Sequence, residues 1–427
     1  MYPIPFPLQP SLWAKTACPP PATTSLKDDI RTEVLVIGGG FAGLSTALHL
    51  AQQGKRVVLL EAREIGFGAS GRNGGQVIPG LKYDPEDLMS MFGNQRGKRV
   101  VEFAGKTADT VFDLIKQFNM NVPHARSGWV QGAHNQEALT LAQKRSGQWS
   151  ALGAPTSMLT KDEVANMLGT DIYVGGWIDR RAGAVQPLSY ARELARVAIQ
   201  LGAHLFTDSA VTQLRQQSSV WQATTSNGGL VTADKVVICT NGYSQGLWPN
   251  LQSTVIDAIS YLVATPPLPD ALRKNIAPNG EVCSDARNLL IYFRQDHEGR
   301  FVLGGRGPFR EPKGPEDWAH IERVTKKMFP ALADLPIEHR WCGRVAVTRD
   351  FLPHIHEPQP GLLIDIGCMG RGVGLQSSIG KAIAQYISTG NRESLPFDST
   401  DIKPLPFYSL RRFYVNALMT WYRFKDL

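Results

Sequence analysis

The chain has 427 residues, which is long enough to bury a large core and to form two domains. Hydrophobic residues make up 43% and charged residues 19%, an ordinary balance that excludes a disordered chain. The formal charge of +7 comes from 45 basic and 38 acidic residues without a long basic block, which favours an anionic small ligand or a lipid surface over nucleic acid. The composition indicates a globular protein of enzyme size.

The cysteines and the N-terminal residues bear on where the protein works. The five cysteines form no Cys-x-x-Cys pair, so the sequence predicts neither a disulfide framework nor a metal site. Residues 1–30 are rich in proline and predict an extended arm, without the basic and apolar order of a signal peptide. No run of about 18 apolar residues predicts a spanning helix. These features predict a cytoplasmic protein, with peripheral contact at the inner membrane as the alternative.

The most informative segment follows this arm. An apolar strand at 34–37 enters a turn with Gly38, Gly40 and Gly43, a helical pattern follows, and a second apolar strand leads to Glu61. The glycines permit a tight turn, close approach of a pyrophosphate to the backbone, and close packing of the helix on the sheet. The helix N-terminus then faces the phosphates, and the carboxylate accepts hydrogen bonds from a ribose. The pattern predicts a dinucleotide cofactor.

The next segments alternate between loop, helix and strand. Residues 65–76 hold five glycines without helical periodicity, which predicts a loop held close to a ligand. Helical spacing dominates residues 84–149 and predicts an insertion. A helix is predicted from Gln186 to Gly202, and an alternating strand at 204–214.

The C-terminal half is predicted to be mainly sheet. Strands are predicted at 235–239, within the aromatic and β-branched segment 255–306, and at 361–367, followed by a helix at 380–387. The predicted domains are a discontinuous cofactor domain at 31–82, 158–250 and 340–395, a second domain at 83–157 and 251–339, and a C-terminal helix within 396–427.

Five motifs in this order resemble the D-amino-acid oxidase-like superfamily of FAD-dependent oxidoreductases, which includes sarcosine, glycine and γ-glutamylputrescine oxidases. The motifs are Gly38-x-Gly40-x-x-Gly43 with Glu61, Gly68-Ala-Ser-Gly-Arg72-Asn-Gly-Gly-Gln76, Val237-Ile-Cys-Thr-Asn-Gly242, Trp341-Cys-Gly343 and Gly367-Cys-Met-Gly370-Arg-Gly372-Val-Gly374. The resemblance covers nearly the whole chain and is similar in pattern to bacterial L-pipecolate oxidases and γ-glutamylputrescine oxidoreductases. It implies an α/β fold in which a Rossmann-like FAD-binding domain joins an α+β substrate domain built on a large mixed sheet.

The resemblance also implies which residues contact FAD. Ser70 and Arg72 are expected to satisfy the pyrophosphate and polar flavin edges. Backbone groups at 370–374 are expected to face the flavin pyrimidine, and the backbone of Val211 is expected to meet the adenine. The full set of expected contacts is Gly38, Gly40, Phe41, Ala42, Gly43, Glu61, Ala62, Ser70, Arg72, Asn73, Gly74, Gln76, Val211, Thr240, Gly242, Gly343, Gly370, Arg371, Gly372, Val373 and Gly374. Non-covalent FAD is expected, with Cys342 as the candidate for a covalent link.

For such an enzyme the resemblance implies hydride transfer from the carbon beside a neutral amine to flavin N5, which leaves an imine and requires no acid or base residue. Arg344 and Arg371 are the expected cations for a substrate carboxylate, although Arg344 stands one residue earlier than the arginine of glycine and D-amino-acid oxidases. Tyr261, Tyr292 and Trp341 are the expected walls of an apolar or cyclic pocket. This set favours a cyclic secondary amino acid such as L-pipecolate over γ-glutamylputrescine or another amine.

The electron acceptor and other classes of protein stay open. Oxygen and a quinone are both expected acceptors, because the strand at 300–305 lacks the lysine that sarcosine-type oxidases place above the flavin. Residues 407–424 combine an apolar helical face with arginines, a pattern typical of an interfacial helix in a membrane-associated dehydrogenase and also of a helix packed on its own domain. An NAD(P)H-dependent reductase is disfavoured because one glycine-rich nucleotide unit is found. A flavin-binding protein without turnover is the remaining alternative.

Overall fold

The computed structural model describes residues 11–426, so the first ten residues of the predicted arm lie outside the described part. The strands are β1 (Asp29–Ile37), β2 (Val57–Leu60), β3 (Gln76–Val77), β4 (His124–Ala125), β5 (Trp129–Ala133), β6 (Thr156–Leu159), β7 (Gly175–Asp179), β8 (Gly183–Val185), β9 (His204–Phe206), β10 (Val211–Gln217), β11 (Val220–Thr225), β12 (Leu230–Ile238), β13 (Val255–Pro267), β14 (Val282–Asp285), β15 (Ile291–Gln295), β16 (Arg300–Arg306), β17 (His339–Thr348), β18 (His354–Gln359) and β19 (Leu362–Ile366). The helices are α1 (Leu12–Thr16), α2 (Phe41–Gln52), α3 (Pro85–Gly105), α4 (Thr107–Gln117), α5 (Gln136–Ala151), α6 (Lys161–Leu168), α7 (Pro187–Gln200), α8 (Asp270–Arg273), α9 (Ala319–Met328), α10 (Gly372–Thr389) and α11 (Arg411–Lys425).

The first sheet has the strand order β10-β11-β12-β1-β2-β9, and β19 pairs with the C-terminal half of β12 and carries β18 on its other side. Strands β9, β2, β1, β12 and β19 are parallel, so their carboxyl ends lie at one edge. Register pairs Ile37 with both Leu60 and Ile238. These strands are continuous apolar runs because parallel sheets are buried on both faces.

The two faces of this sheet bury alternate residues of the same strands. Val34 and Val36 join one cluster with α2, α7 and α10, whereas Leu35 and Ile37 join a second cluster with Trp221 on β11. The period of two along an extended strand produces this division. The predicted Rossmann-like arrangement of the first domain is confirmed.

The second sheet has eight strands in the order β17-β13-β16-β15-β14-β5-β7-β6 and is mixed, since β5 and β14 run parallel. Its longest pairing joins β13 to β17 from Val255–Thr348 to Ala264–His339. A small antiparallel sheet, β3-β8-β4, connects the two large ones. The large mixed sheet predicted from residues 255–306 is thus confirmed.

Part of the predicted extended arm is a packed helix. Helix α1 inserts the fully buried side chains of Leu12 and Trp13 into a cluster with Leu188, Leu262 and Trp341. Apolar burial outweighs the extended preference of the surrounding prolines here. The extended-arm prediction is therefore wrong for α1.

Strand membership also differs from the predicted domain limits. Strands β7 and β17, which the sequence prediction counts with the cofactor domain, belong to the second sheet. Helices α3 and α4, counted with the second domain, share the core of α2 and α10 instead. Pairing and burial between segments distant in sequence decide these memberships, so the division into two domains stays a proposal with these segments reassigned.

Helix α10 begins eight residues before the predicted start. Its glycines have low helix propensity, which hides the start of the helix in the sequence, and they allow α10 to pack closely on its neighbours. A Cβ added at Gly380 would lie 2.8 Å from Cβ of Ser45 and would overlap the carbonyl oxygen of Ala42 on α2. Within residues 11–426, no helix combines the length and apolar character needed to cross a bilayer.

The contact between α2 and α10 can be tested with two glycine substitutions. Gly380→Ala is expected to lower the free energy of unfolding by about 1–3 kcal/mol or more, because the methyl group meets backbone that cannot move aside. Gly147→Ala in α5, where an added Cβ meets nothing within 4 Å, is expected to raise it by about 0.5–1 kcal/mol. Urea unfolding of the two variants measures both changes; equal effects of one sign would contradict the prediction.

Candidate active site

The turn between β1 and α2 lies at the carboxyl edge of the first sheet. Gly38 has a φ of +113°, and a Cβ there would lie 2.8 Å from the carbonyl oxygen of Cys239 at the end of β12. A Cβ at Gly43 would overlap the carbonyl oxygen of Gly38. Phe41 and Ala42 are buried in the first turn of α2. Glycine is required where these backbones meet.

Glu61 closes the other side of this turn. Its Oε2 accepts a hydrogen bond from the N–H of Gly39 at 2.6 Å, and its Oε1 accepts one from the N–H of Arg63 at 2.9 Å. Burial raises the pKa of Glu61 above its ordinary value, and these backbone N–H groups oppose the rise. The N–H of Ser209 donates to the main-chain carbonyl oxygen of Glu61 at 2.9 Å. This bond places the start of β10, with Val211, beside Glu61. Ala62, the next residue after Glu61, is exposed.

These residues fit a dinucleotide. Gly40 is the N-cap of α2 and has no side chain with which to cap the helix, so the N–H groups that follow Phe41 in the first turn are left for an anion. A Cβ at Gly40 would lie 3.0 Å from Oγ of Ser70, whose hydroxyl accepts from the N–H of Phe41 at 2.9 Å. A side chain at position 40 would therefore fill the space between the N-terminus of α2 and Ser70, which we call the FAD cradle. A pyrophosphate at the helix and a ribose at Glu61 suit this donor and acceptor set.

The glycine-rich loop is held rigid by its own polar groups. The Nδ2 of Asn73 donates to the carbonyl oxygens of Ala69 and Ser70, and its Oδ1 accepts from the N–H of Gly75 at 2.8 Å. The Nε of Arg72 donates to the carbonyl oxygen of Phe67 at 2.8 Å. The structure thus places Arg72 and Asn73 as braces of the loop, and their direct contact with FAD stays a prediction.

The second sheet supports this loop from the other side. Trp341 is buried and donates from Nε1 to the carbonyl oxygen of Arg72 at 2.9 Å, and a Cβ at Gly343 would lie 3.0 Å from Cβ of Arg72. Gln76 donates from Nε2 to the carbonyl oxygen of Cys283 at 2.9 Å. Trp341 and Gln76, predicted as a pocket wall and a cofactor contact, are placed as ties between the loop and the sheet.

Two further loops complete the edge. After β12, the hydroxyls of Thr240 and Ser244 are 2.6 Å apart, and a Cβ at Gly242 would lie 3.2 Å from Oδ1 of Asp257. After β19, the N–H of Gly367 donates to Oδ1 of Asn241 at 3.0 Å.

The loop after β19 leads directly into α10. Gly370 has a φ of +83°, and α10 begins at Gly372 and buries Val373. A Cβ at Gly374 would lie 2.7 Å from the carbonyl oxygen of Thr107 on α4. The structure therefore puts a second helix N-terminus at the same sheet edge, as the predicted flavin contact at 370–374 requires.

Arg344 already has an acidic partner. Its Nε donates to Oε1 of Glu311 at 2.9 Å, and its guanidinium lies 5.3 Å from the ring centre of Tyr243. Burial raises the pKa of Asp257 to about 7, and the charge of the nearby Arg344 opposes this rise. Sequence reasoning missed both acids because Glu311 and Asp257 lie on distant segments. This geometry does not favour Arg344 as the carboxylate-binding residue.

The predicted aromatic walls occupy different environments. Tyr261 is fully buried in the core of the second sheet, and its hydroxyl donates to the carbonyl oxygen of Arg310 at 2.8 Å, so its prediction as a pocket wall is wrong. Tyr292 is half-buried, and its ring lies where a Cβ of Gly74 would be 2.7 Å away. Its hydroxyl is 2.8 Å from that of Ser260. Tyr292 stays the candidate wall.

Four cations, which we call the cationic cluster, meet near the loop after β19: Lys82, Arg145, Arg306 and Arg371. Burial, then the charges of Arg371, Arg306 and Arg145, lowers the pKa of Lys82 to about 8. The side chain of Lys82 is surrounded by protein atoms and keeps contact with solvent. Sequence reasoning named Arg371 alone, since only the fold brings the others to it.

The members of the cluster differ in how they are satisfied. Arg145 pairs with Asp84 at 2.6 Å, and Arg371 donates to the carbonyl oxygen of Pro79 at 2.5 Å with its guanidinium 5.2 Å from the ring centre of Trp129. Arg306 is half-buried near Tyr292 and Cys368, and its buried Nη1 has no hydrogen-bond partner among the residues that the structure describes. Burial lowers its pKa.

Cys342, the predicted candidate for a covalent link, faces an acid. Its Sγ lies 3.6 Å from Oε2 of Glu311, and burial together with this carboxylate raises the pKa of the thiol to about 12. Since the thiolate is the nucleophilic form, this environment suits non-covalent FAD. Within residues 11–426, no group of three or more acidic, histidine or cysteine side chains is placed to hold a metal ion.

A glycine turn and an acidic residue at the carboxyl edge of a parallel sheet, joined to a large mixed sheet, define a dinucleotide-dependent oxidoreductase. A model of the family of FAD-dependent oxidoreductases called DAO matches residues 33–386. The chain belongs to this family, and its cofactor is FAD. The resemblance seen in the sequence is confirmed.

Relatives are similar over most of their length. The chain is 28% identical to a probable oxidoreductase, OrdL, of Haemophilus influenzae over 83% of this chain and 82% of that one. It is also 28% identical to the γ-glutamylputrescine oxidoreductase of Escherichia coli over 85% of each. Among solved structures, glycine oxidase from Geobacillus kaustophilus matches with a TM-score of 0.72 at 20% identity, over 87% of this chain and 100% of that one. The structural likeness confirms the fold.

The role of Glu61 can be tested through cofactor retention. Glu61→Gln is expected to raise the FAD dissociation constant about tenfold or more, because the neutral amide loses charged hydrogen bonds worth about 1.5–3 kcal/mol. Glu64→Gln, three residues on and half-exposed, serves as the control and should leave the constant unchanged. Recovery of free FAD fluorescence on dilution measures both. Equal retention by the two variants would remove the proposed ribose contact.

Proposed function

We propose that this protein oxidises the carbon–nitrogen bond of an amine that also carries a carboxylate and produces an imine. Bound FAD supplies the acceptor for the two electrons and the hydride. The observation that carries the proposal is the cationic cluster, which lies against the loop after β19 at the same edge as the FAD cradle.

Electrostatics favours an anionic group at this place. Buried cations are costly unless they are paired, and Arg306 has a buried Nη1 without a partner among the described residues. A planar guanidinium matches a carboxylate through two parallel hydrogen bonds. A substrate carboxylate beside Arg306, with Lys82 nearby, would compensate the charge that the protein itself leaves uncompensated.

The same charges act on the reacting amine. A cation nearby disfavours the protonated form of a second cation; in the cluster, burial lowers the pKa of Lys82 most, and the charges of Arg371, Arg306 and Arg145 lower it further. A substrate amine held beside Arg306 and Arg371 would therefore lose its proton more readily. Because the neutral amine is the form that gives up hydride, the cluster both orients the substrate and favours its reactive state.

The position of the cluster favours an α-amino acid. Arg306 lies near Cys368, in the loop proposed to contact the flavin, and near Tyr292, the candidate apolar wall. A carboxylate bound there is close to the reacting carbon, as it is when both belong to one α-amino acid. A cyclic secondary amino acid such as L-pipecolate is the first candidate, with Tyr292 against its ring.

γ-Glutamylputrescine is the second candidate, and its support is the similarity to the Escherichia coli γ-glutamylputrescine oxidoreductase. This substrate also carries a carboxylate, but the carboxylate lies at the opposite end from the terminal amine of its putrescine part. The two candidates therefore require different distances between the cluster and the reacting carbon. Oxygen and a quinone are the two proposed acceptors, and the cytoplasm is the proposed location, supported by the five cysteines being free.

The proposed function is tested by anaerobic bleaching of the FAD-loaded protein with L-pipecolate, L- and D-proline, sarcosine, glycine and γ-glutamylputrescine. Bleaching by a cyclic amino acid within one turnover is the expected result, because its carboxylate reaches the cluster while its ring nitrogen adjoins the reacting carbon. Bleaching by γ-glutamylputrescine alone would select the second candidate. The absence of bleaching by any of these compounds would contradict amine oxidation. Re-oxidation with oxygen or a soluble quinone then identifies the acceptor.

Substitutions of Arg306 and of Arg344 are expected to differ in their effect on substrate binding. Arg306→Gln is expected to raise the concentration of L-pipecolate for half-maximal flavin reduction about 10- to 100-fold, as expected for the loss of a charged hydrogen bond. It should leave reduction by piperidine, which lacks the carboxylate, unchanged. Arg344→Gln, whose wild-type guanidinium already pairs with Glu311, should change the L-pipecolate value by no more than about twofold. A larger increase in this concentration for Arg344→Gln than for Arg306→Gln would instead identify Arg344 as the carboxylate-binding residue.

A further inference from the structure

Helix α11 presents an apolar surface to solvent. The segment 407–424 contains seven of the thirteen exposed large hydrophobic side chains found in the described part of the chain. The others are scattered singly. The seven are Phe407, Leu410, Phe413, Tyr414, Leu418, Trp421 and Phe424, with Phe413 77% and Phe424 68% exposed. A concentration of this kind marks an interaction surface, whereas scattered apolar residues do not.

The exposed residues form one face of the helix. At about 100° per residue, Leu410, Phe413, Tyr414, Trp421 and Phe424 fall within an arc of about 100°, which we call the apolar stripe. The opposite face, with partly buried residues at 411, 415, 419 and 422, packs on the protein. The sequence analysis left two alternatives open, an interfacial helix and a helix packed on its own domain. One face of α11 is exposed and the other is partly buried, so the structure has features of both.

The helix is fixed in this orientation at its C-terminal end. The Oδ1 of Asp426 accepts from the N–H and the Nδ2 of Asn288, at 2.9 and 2.8 Å. Its Oδ2 accepts from the N–H of Leu289 at 2.8 Å. These bonds tie the end of α11 to the connection between β14 and β15, so that the stripe faces outward from a supported helix.

The charge of the helix indicates what covers the stripe. Arg411, Arg412, Arg423 and Lys425 lie on α11, and residues 402–425 contain no aspartate or glutamate. Lys425 borders the stripe, and its ammonium lies 6.0 Å from the ring centre of Trp421, whereas Arg412 and Arg423 lie about 130–150° around the helix from the centre of the stripe. Two copies of this chain joined through the stripe would bring these cations together. An anionic surface would instead neutralise them.

We propose that α11 docks on the surface of a bilayer that contains anionic phospholipid. Tryptophan, tyrosine and phenylalanine on one face of a helix suit the boundary between head groups and acyl chains, and the lysine beside this face together with the exposed arginines on the rest of the helix suits anionic head groups. The helix lies in the plane of the interface with Phe413, Trp421 and Phe424 inserted. The proposal concerns the apolar stripe of α11 and does not depend on the proposed substrate.

Flotation of the FAD-loaded full chain with vesicles tests this proposal. The protein is expected to float with vesicles of phosphatidylcholine and phosphatidylglycerol, and to remain at the bottom of the gradient with phosphatidylcholine alone. Added salt should weaken the association, because it screens the attraction between arginine and head group. Failure to float with the anionic vesicles would overturn the proposal.

Two variants and a control separate the apolar from the charged contribution. Phe413→Ser with Trp421→Ser and Phe424→Ser should abolish flotation, and Arg412→Gln with Arg423→Gln should weaken the partition coefficient about thirtyfold. Phe351→Ser removes an exposed phenylalanine from another surface and should float like the wild type. Retained FAD absorbance shows that each variant is folded.

Two results would count against lipid docking even if the wild type floats. Flotation of the triple serine variant to the wild-type extent would show that another surface binds the vesicles. Sedimentation velocity that shows a dimer in the wild type and a monomer in this variant would show that the stripe is covered by a second copy. A monomer in both, together with loss of flotation, supports the bilayer.

Discussion

The close approach of backbone to backbone around α2 is the constraint on which the rest of the site depends. Gly43 lies against the carbonyl of Gly38, and Gly380 brings α10 against the carbonyl of Ala42. Any side chain at these glycines would separate β1, α2 and α10. Because the three elements stay together, two helix N-termini and the carboxylate of Glu61 arrive at one edge of the first sheet. The FAD cradle is a consequence of this packing.

The second sheet contributes the side chains that we propose to bind the substrate beside the cradle. Strand β16 ends at Arg306 and β15 carries Tyr292, and both strands reach the loop after β19. The glycine-rich loop is held between the sheets, since Trp341 binds the carbonyl of Arg72 and α1 packs Trp13 against Trp341. Rigid support of this kind keeps binding groups in register with a cofactor.

The buried arginines illustrate how a fold separates structural from binding roles. Arg344 pairs with Glu311, and Arg294 donates to the backbone carbonyls of Gly74 and Val185. Each of these guanidinium groups has hydrogen-bond partners within the protein, so removal of its charge is expected mainly to lower the stability of the fold. Arg306 is the contrasting case in the described residues near the site, with a buried nitrogen left for a ligand. The absence of protein hydrogen-bond partners therefore identifies a candidate ligand-binding arginine better than the presence of an arginine alone does.

The sequence by itself determined the first domain and its cofactor, because the glycine turn, α2 and Glu61 interact over short distances and leave a local pattern. It also predicted the large second sheet and the two-faced character of residues 407–424. Only the tertiary structure decided that Tyr261 is core, that Arg344 is paired, and that Lys82 lies within the electrostatic influence of Arg306. Those facts depend on contacts between residues far apart in the chain, and spacing in a sequence carries no record of them.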